Sequence, residues 1–484
     1  MKIKTDSPEL SDMFYDCKQK GDHLTILLTG VSGFIGSRLL KELVKIKEGN
    51  QNDTLDSKSL SVRCVTRNKR FLSFETINKL ENFEIVEADL SKYEDCKRAL
   101  ENIDIAFYLV HSMEGSSRNW KKFSVKEAQT AESFSKAADE CNVKRIIYLG
   151  GLTHGNENEL SQHMLSRKHV GEILKNSKSS VTIFRAAVIL GSGGGSFEML
   201  RYLVERLPLM VCPKWVQTKC QPIFLDDVVA YLSKSMFVRD TEDKTFDIGG
   251  PDVLTYMDMM KIYARILGKS IIILIIPFLT PRLSSYWVDL VTPIKASLAR
   301  PLIDSLKHEA IVKDDSIVNL IPLKLKSFEE SLQYCIKEEN RYKKNKDPNH
   351  IRKEKTSLSL NYKILLTSLI LLLAIGTTYY FLDSRIQFLE PFWLSIAIIW
   401  YLLILFAIYF IRYGARLGAL LAGILAWCSL AFWLFDVYSF VFGYSVIANE
   451  PGNDGILRDV IGIIIASFTI ISSHNIFHKI HIHG

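Results

Sequence analysis

Residues Ile26 to Leu39 read I-L-L-T-G-V-S-G-F-I-G-S-R-L, an apolar run, then glycines at three-residue spacing (Gly30, Gly33, Gly36), then the start of an amphipathic pattern. Few patterns leave a chain less choice. A buried strand must turn sharply into a helix whose first N–H groups face an anion. A side chain at any of the three positions would obstruct the turn, the approaching pyrophosphate or the helix–strand packing. Glycine triplets also occur in plain tight turns, so the flanks decide. Leu24 to Thr29 is strand-like and Ser37 to Lys45 has helical periodicity. The segment therefore predicts a dinucleotide-binding turn in which Gly30, Ser32, Gly33, Phe34, Ile35 and Gly36 line the ligand.

With 484 residues, two or more domains are expected, and 48% hydrophobic residues is high for a plain soluble enzyme. The excess sits near the C-terminus. Ile364 to Leu382, Pro391 to Ile411, Leu417 to Phe435 and Val460 to Phe477 are each close to the ~20 apolar residues a bilayer-crossing helix needs. The fourth is closed by Ser472, Ser473, His474 and Asn475, so an interfacial helix is its other reading. Ile271 to Leu279 is too short to span and contains Pro277, which predicts a buried strand or loop.

Basic residues flank the spans unequally. Arg341, Lys343, Lys344, Lys346, Arg352, Lys353, Lys355 and Lys363 precede the first, and Arg412 and Arg416 lie between the second and third. The opposite loops lean acidic, with Asp383 and Glu390 in one and Glu450, Asp454 and Asp459 in the other. Asp436 is the main ionisable residue within the spans; it reads as buried there or, lying near a span end, as facing water. The expectation is an integral protein of the cell (inner) membrane with nucleotide domain and C-terminus cytoplasmic. Met1 to Lys20, polar and mixed in charge, does not predict a signal peptide.

The eight cysteines are scattered without a CxxC pair, which suggests neither a disulfide framework nor a zinc site. His474, His478, His481 and His483 invite a metal reading, but only the first two have helical spacing and no carboxylate stands near; no metal is expected. The net charge of +7 is accounted for by topology and by attraction to anionic lipid heads, so membrane lipids rather than nucleic acid are the expected partner.

Between Leu24 and Val188 strand and helix patterns alternate, which predicts a doubly wound parallel sheet, fold class α/β. Strand two is Ser61 to Thr66, three is Phe83 to Glu87, four is Ile105 to Val110 and five is Lys144 to Leu149. Ligands of such sheets lie outside the carboxyl ends of the strands. Strand two ends in Arg67, which suits the 2′-phosphate of NADP, with NAD as the alternative cofactor; Arg67 to Arg70 also reads as a solvated basic turn. Asp89 and Leu90 after strand three and Val110 after strand four complete the expected cofactor contacts, although Asp89 also reads as a simple turn acid. Ile183 to Leu190 reads as a further strand leading into Gly191 to Ser196, a bare loop that either approaches a ligand or simply flexes. Asp226 and Asp227 are expected to cap a helix.

Together these residues resemble the atypical short-chain dehydrogenases of the YbjT/NmrA-like kind over about Leu24 to Leu325. The more specific segments are Tyr108 to Met113, Tyr148 to Leu152, Arg185-Ala186-Ala187, Ser196 to Leu203 and Thr280 to Ser285. The resemblance implies a Rossmann-like NAD(P)-binding fold with a small C-terminal lobe. The four-helix transmembrane tail departs from it. The expected domains are an extension (1–22), the NAD(P)-binding domain with its substrate-side lobe (23–340), a basic linker (341–362) and the membrane domain (363–484).

Active members of that superfamily use a Tyr, a Lys four residues later and a Ser at the end of strand five. This chain has Gly150-Gly151 at the Ser position and, with Lys168 as the lysine, Met164 at the Tyr position. A methionine has no proton to give. His111, His163 and Lys168 are the candidate substitutes, a histidine having a suitable unperturbed pKa. Each also reads as structural: the histidines as hydrogen-bonded groups, Lys168 as an exposed helix lysine. Two functions compete ahead of a third, in which the membrane helices act and the nucleotide domain regulates them, a reading that the few ionisable residues in the spans weaken. One is a membrane-anchored NADP(H)-dependent oxidoreductase acting on a small lipophilic substrate, a lipid, isoprenoid or quinone. The other is a non-catalytic NADP(H)-binding sensor or assembly subunit.

Overall fold

Runs such as Leu24–Leu28 are apolar on both alternating sets of side chains, and a strand of that kind is stable only with both faces covered. The computed structural model describes residues 23–48, 60–68, 70, 83–110, 120–153, 160–276, 285, 288–294, 296–345, 348–382, 391–412, 416–442 and 453–479. It divides into two compact units, Met1–Ser285 with Ala296–Glu339, and Tyr286–Lys295 with Asn340–Gly484.

The first unit is built on strands β1 (Leu24–Leu28), β2 (Leu60–Thr66), β3 (Glu84–Glu87), β4 (Ile105–Tyr108), β5 (Arg145–Gly151) and β6 (Ser180–Ala186). They are followed by β7 (Ile189–Leu190), β8 (Leu209–Pro213), β9 (Lys219–Cys220), β10 (Ile223–Phe224), β11 (Thr245–Ile248), β12 (Leu254–Thr255) and β13 (Ile272–Ile276). Seven of these form one sheet in the order β11-β6-β5-β4-β1-β2-β3, every neighbouring pair parallel. The order reverses between β1 and β4, and the crevice outside their carboxyl ends is where such a sheet takes a ligand.

The helices of this unit are α1 (Phe34–Lys47), α2 (Tyr93–Leu100), α3 (Trp120–Glu140), α4 (Gln162–Lys175), α5 (Gly195–Arg206), α6 (Leu225–Ser235), α7 (Tyr256–Ile266), α8 (Ala296–Ser305), α9 (Ile317–Leu320) and α10 (Phe328–Asn345), whose last residues pass into the second unit. On α1 the buried residues Gly36, Leu39, Leu40 and Leu43 recur at helical spacing. Their leucines join Ile26 and Leu28 in one core layer, while Leu27, Ala106 and Tyr108 point into a second layer with Phe134. Each fully buried leucine contributes about 1.5–3 kcal/mol, which fixes α1 and the turn before it on the sheet.

Three expectations change. The strand expected over Ile183 to Leu190 is interrupted after Ala186, and its last two residues pair with β10 instead. Asp226 and Asp227 do not cap α6: the N-cap is Phe224 and both acids lie in the first turn. Residues 272–276 are a strand, but β13 lies in a two-stranded sheet with β8 and its alternate residues are exposed rather than buried.

The second unit holds α11 (Pro348–Leu382), α12 (Pro391–Arg412), α13 (Arg416–Phe442) and α14 (Asn453–Lys479). Leu360–Thr378, Leu394–Ile411, Leu417–Tyr438 and Leu457–Ile476 within them are long and apolar enough to cross a bilayer. The fourth helix runs unbroken through Ser472 to Asn475. Small residues face inward: a Cβ at Gly423 would meet Ser473 Oγ at 2.7 Å, and one at Gly462 would meet the Trp433 ring at 2.7 Å. Close backbones of this kind let Ser473 Oγ donate to the Ala419 carbonyl at 2.5 Å. Of the two readings of Asp436 its 5% exposure supports the buried one, and one acid needs correction: Asp459, read as a loop acid, is 1% exposed inside α14.

Candidate functional site

The turn after β1 is built from its glycines outward. Gly30 has φ +66°, and a Cβ there would lie 2.7 Å from the Leu109 carbonyl oxygen, so only glycine fits between β1 and the end of β4. A Cβ on Gly36 would lie 2.2 Å from the Gly30 carbonyl oxygen. Gly33 differs: its Cβ would meet only the Gly30 carbonyl, at 3.1 Å, and its other side is open. Gly30 and Gly36 therefore make the turn, and Gly33 keeps its outer surface bare. The Gly33 N–H donates to the Gly30 carbonyl at 2.8 Å. Thr29, fully buried, donates to the Phe107 carbonyl at 2.9 Å and accepts from the Leu109 N–H at 2.9 Å, which holds the ends of β1 and β4 side by side.

Helix α1 starts at this turn with Gly33 as N-cap, no side-chain cap and no acid in its first turn. Its first N–H groups and the positive end of its dipole are thus left for an anion. Ser32 is exposed, and Phe34 and Ile35 are half-buried. The Phe34 ring fills the space beside the later glycine loop: a Cβ on Gly194 would sit 2.5 Å from Phe34 Cζ, and one on Gly191 2.9 Å from it. Gly191 and Gly194 are thus bare for packing, whereas Gly193, with φ +80°, serves the turn and faces open space.

Two further cofactor candidates end neighbouring strands. Arg67 follows β2 and is exposed. Asp89 follows β3 and is half-buried, its Oδ1 accepting from the Ser91 N–H at 3.1 Å and the Ser91 hydroxyl at 2.8 Å. Burial opposes ionisation of Asp89, but the Ser91 bonds and the charges of Lys126 and Lys92 outweigh it and hold its pKa below the usual value. Leu90 is buried and Val110 is half-buried.

Around the end of β5 the arrangement is of another kind. A Cβ on Gly151 would lie 2.7 Å from Met164 Cε and 2.9 Å from its sulfur. The two positions that differ from the usual triad therefore touch, and the missing side chain at Gly151 makes room for the methionine. Helix α4 carries Met164 there because Ser161 caps it, accepting from the Met164 N–H at 3.2 Å. His163 and Lys168 flank Met164 on the same helix, both half-buried, with Lys168 Nζ 3.7 Å from Glu172 Oε1. His111 lies outside the described residues.

Arg167 was not anticipated. Its guanidinium donates to the Leu149 carbonyl and lies 5.0 Å from the Tyr148 ring centre, while the Tyr148 hydroxyl donates to the Arg167 carbonyl at 3.0 Å. The only sequence signal was its place three residues after Met164, on the same helix face. Burial pushes the Tyr148 phenol up to about 12, and the Arg167 carbonyl engages its proton in a hydrogen bond. At the neighbouring strand ends Arg185 Nε and Nη2 reach Asp247 Oδ1 at 2.8 and 2.7 Å, and the Asp247 side chain is fully buried. Among the described residues no group of three His, Cys, Asp or Glu is placed to hold a metal ion.

The sheet order, the reversal between β1 and β4 and the uncapped glycine turn define a Rossmann-like dinucleotide-binding domain. Residues 30–199 match the family model described as NAD(P)H-binding, so this region is an NAD(P)H-binding domain. Among solved structures, the chain is similar to a triphenylmethane reductase from Citrobacter sp. complexed with NADP(H), at 17% identity and TM-score 0.51, over 64% of this chain and 100% of that one. It is also similar to an NADPH-dependent quinone oxidoreductase from Escherichia coli complexed with NADPH, at 16% identity and TM-score 0.50, over 64% of this chain and 99% of that one. At such identities the likeness shows the fold. No curated protein matches the chain.

Proposed function

We propose that the protein is a membrane-anchored, NADPH-preferring oxidoreductase that reduces a lipophilic, quinone-like acceptor, with nucleotide domain and C-terminus on the cytoplasmic side. The observation that carries this reading is the contact between Gly151 and Met164. Reducing a simple ketone leaves a strongly basic alkoxide, which needs an acid at the oxygen as it forms. A conjugated quinone leaves instead a hydroquinone anion, comparable to a phenolate with a pKa near ~10, whose charge is spread over the ring. Such an acceptor takes a hydride at a site without a proton donor and collects its proton from water afterwards.

The residues present fit the cofactor. Gly33 and the uncapped start of α1 would hold the pyrophosphate, and Arg67 the 2′-phosphate, since its neighbour Asn68 leaves no acid to repel it. Bound NADPH would supply the hydride. The apolar pair Gly151 and Met164 keeps water from that end of the crevice and offers an aromatic acceptor a polarisable thioether. Four span-length apolar helices in the same chain favour a substrate that partitions into lipid, and the basic residues before α11 and around Arg412 and Arg416 favour the cytoplasmic side.

The test is NADPH oxidation by the full-length protein in lipid vesicles, followed at the reduced-nicotinamide absorbance, with a short-chain benzoquinone and an aliphatic ketone as rival acceptors. Turnover of the quinone alone is expected. Turnover of the ketone alone would overturn the acceptor assignment. Tight NADPH binding without turnover of either would replace the enzyme by a cofactor-binding sensor.

A further inference from the structure

Strands β8 and β13 form a ribbon outside the main sheet, paired in parallel with Leu209 opposite Ile272 and Val211 opposite Leu274. Their side chains alternate, and the set on one face is apolar and open: Leu209 is 53% exposed, Val211 39%, Ile272 61%, Leu274 50% and Ile276 38%. Neither strand contains a charged residue. Two exposed lysines stand at opposite ends of the ribbon, Lys269 shortly before β13 and Lys214 directly after β8. Glu205, the acid nearest β8 in sequence, is occupied by the Tyr263 hydroxyl at 3.0 Å. An exposed apolar face of this extent is uncommon on a monomeric soluble surface and calls for a cover.

We propose that this ribbon is a monotopic membrane contact, its apolar face resting at the acyl–headgroup boundary of an anionic leaflet with Lys214 and Lys269 against lipid phosphates. An apolar surface rimmed by lysine is the pattern that seats a peripheral element at that depth. Connectivity supports the choice of occupant: after β13 the chain passes through residues 277–285 into Tyr286–Lys295, which groups with the apolar helices of the second unit. The proposal rests on those helices lying in a bilayer. It adds that the nucleotide-binding unit touches the leaflet itself, which gives a lipophilic substrate a route that avoids water.

The test uses the full-length protein with Cys17, Cys141 and Cys428 replaced by serine and one new cysteine carrying a small environment-sensitive fluorophore. Leu274→Cys reports the ribbon, Leu402→Cys a lipid-facing position on α12, and Val253→Cys, at a 45% exposed residue of the first unit outside the ribbon, is the control. Each is reconstituted into phosphatidylcholine vesicles with or without phosphatidylglycerol and quenched with a spin label near the headgroups, for positions 274 and 253, and with one at the acyl-chain ends, for position 402. Quenching at positions 274 and 402 but not 253 is expected. The 274 signal should fall at least twofold without anionic lipid or when Lys214→Glu and Lys269→Glu are added. Quenching at 402 alone overturns the ribbon contact and leaves the anchor standing, whereas no quenching at 402 defeats the anchor itself. A probe at 274 already shielded in detergent, and released on dilution, would mean that a second copy of the chain covers the ribbon, which also overturns the proposal.

Discussion

The carboxyl ends of β1 and β5 open on one sheet edge, yet they are built on opposite rules. At β1 the glycines are confined by backbone: a Cβ on Gly30 or Gly36 would strike a carbonyl oxygen that cannot move aside. At β5 the bare position is confined only by the tip of Met164, a flexible side chain. Backbone confinement marks a shape that has to be kept for a ligand, whereas side-chain confinement marks a place where one packing solution has replaced another. The turn after β1 is thus fixed by backbone, while the end of β5 is filled by apolar material that can shift.

The strongest test is Gly36→Ala. Its methyl group has no room against the Gly30 carbonyl, and a loss of about 3–4 kcal/mol of stability is expected, seen as a large fall in melting temperature of the first unit. Gly33→Val should behave differently, melting close to the parent while nucleotide affinity drops at least tenfold, about 1.4 kcal/mol, in a calorimetric titration. Equal melting losses in the two variants would erase the distinction between the glycines that shape the turn and the one that faces the ligand.

Gly151→Ser should cost about 1 kcal/mol, because the methionine tip can shift at the expense of its packing. Adding Met164→Ala should return the melting temperature toward the parent, and failure of this second change to compensate would break the contact on which the β5 side of the comparison stands. Arg67→Ala comes next. Its exposure limits a charge contact to under ~1 kcal/mol, so NADPH should weaken about fivefold with NADH nearly unchanged; equal weakening of both would make Arg67 a plain turn residue. The smallest effect concerns Asp89, whose folded-state pKa is depressed. Its contribution is present above the unfolded carboxylate value and disappears as pH falls through the folded one. Asp89→Asn should therefore lower the neutral melting temperature slightly, leave melting in acid unchanged, and so flatten the acid limb of a stability–pH curve.

The strands and the glycine turn were legible because each is written in local periodicity and in residues that tolerate only one backbone. The missing triad was legible too, but only as two separate absences; that Gly151 and Met164 touch is a long-range fact no spacing states. Arg167 escaped notice since an arginine on a half-exposed helix face looks like solvated surface until its fork is seen on the Leu149 carbonyl. Periodicity also misled for β13, where an apolar run was read as buried: a pattern shows which side chains share a face, not whether anything covers it. Asp459 failed for a related reason, an acid near a span end being ordinary loop material until its helix is seen to start six residues earlier, at Asn453.

One pairing reaches across nearly the whole first unit. Arg38 on α1 bonds Glu338 on α10 at 2.7 Å and Asp226 on α6 at 3.1 Å, and Glu339 beside it takes Ser192 at 2.9 Å and Arg201 at 3.2 Å. The first helix among the described residues is therefore fastened by the last helix of its unit, and the closure entropy of that long loop is offset only at the end. The next long helix to be synthesised after α10 is α11, which carries the first span-length apolar stretch. The residues that complete the nucleotide-binding unit are thus made directly before the first span-length apolar stretch, so the order of biosynthesis sets a deadline for folding.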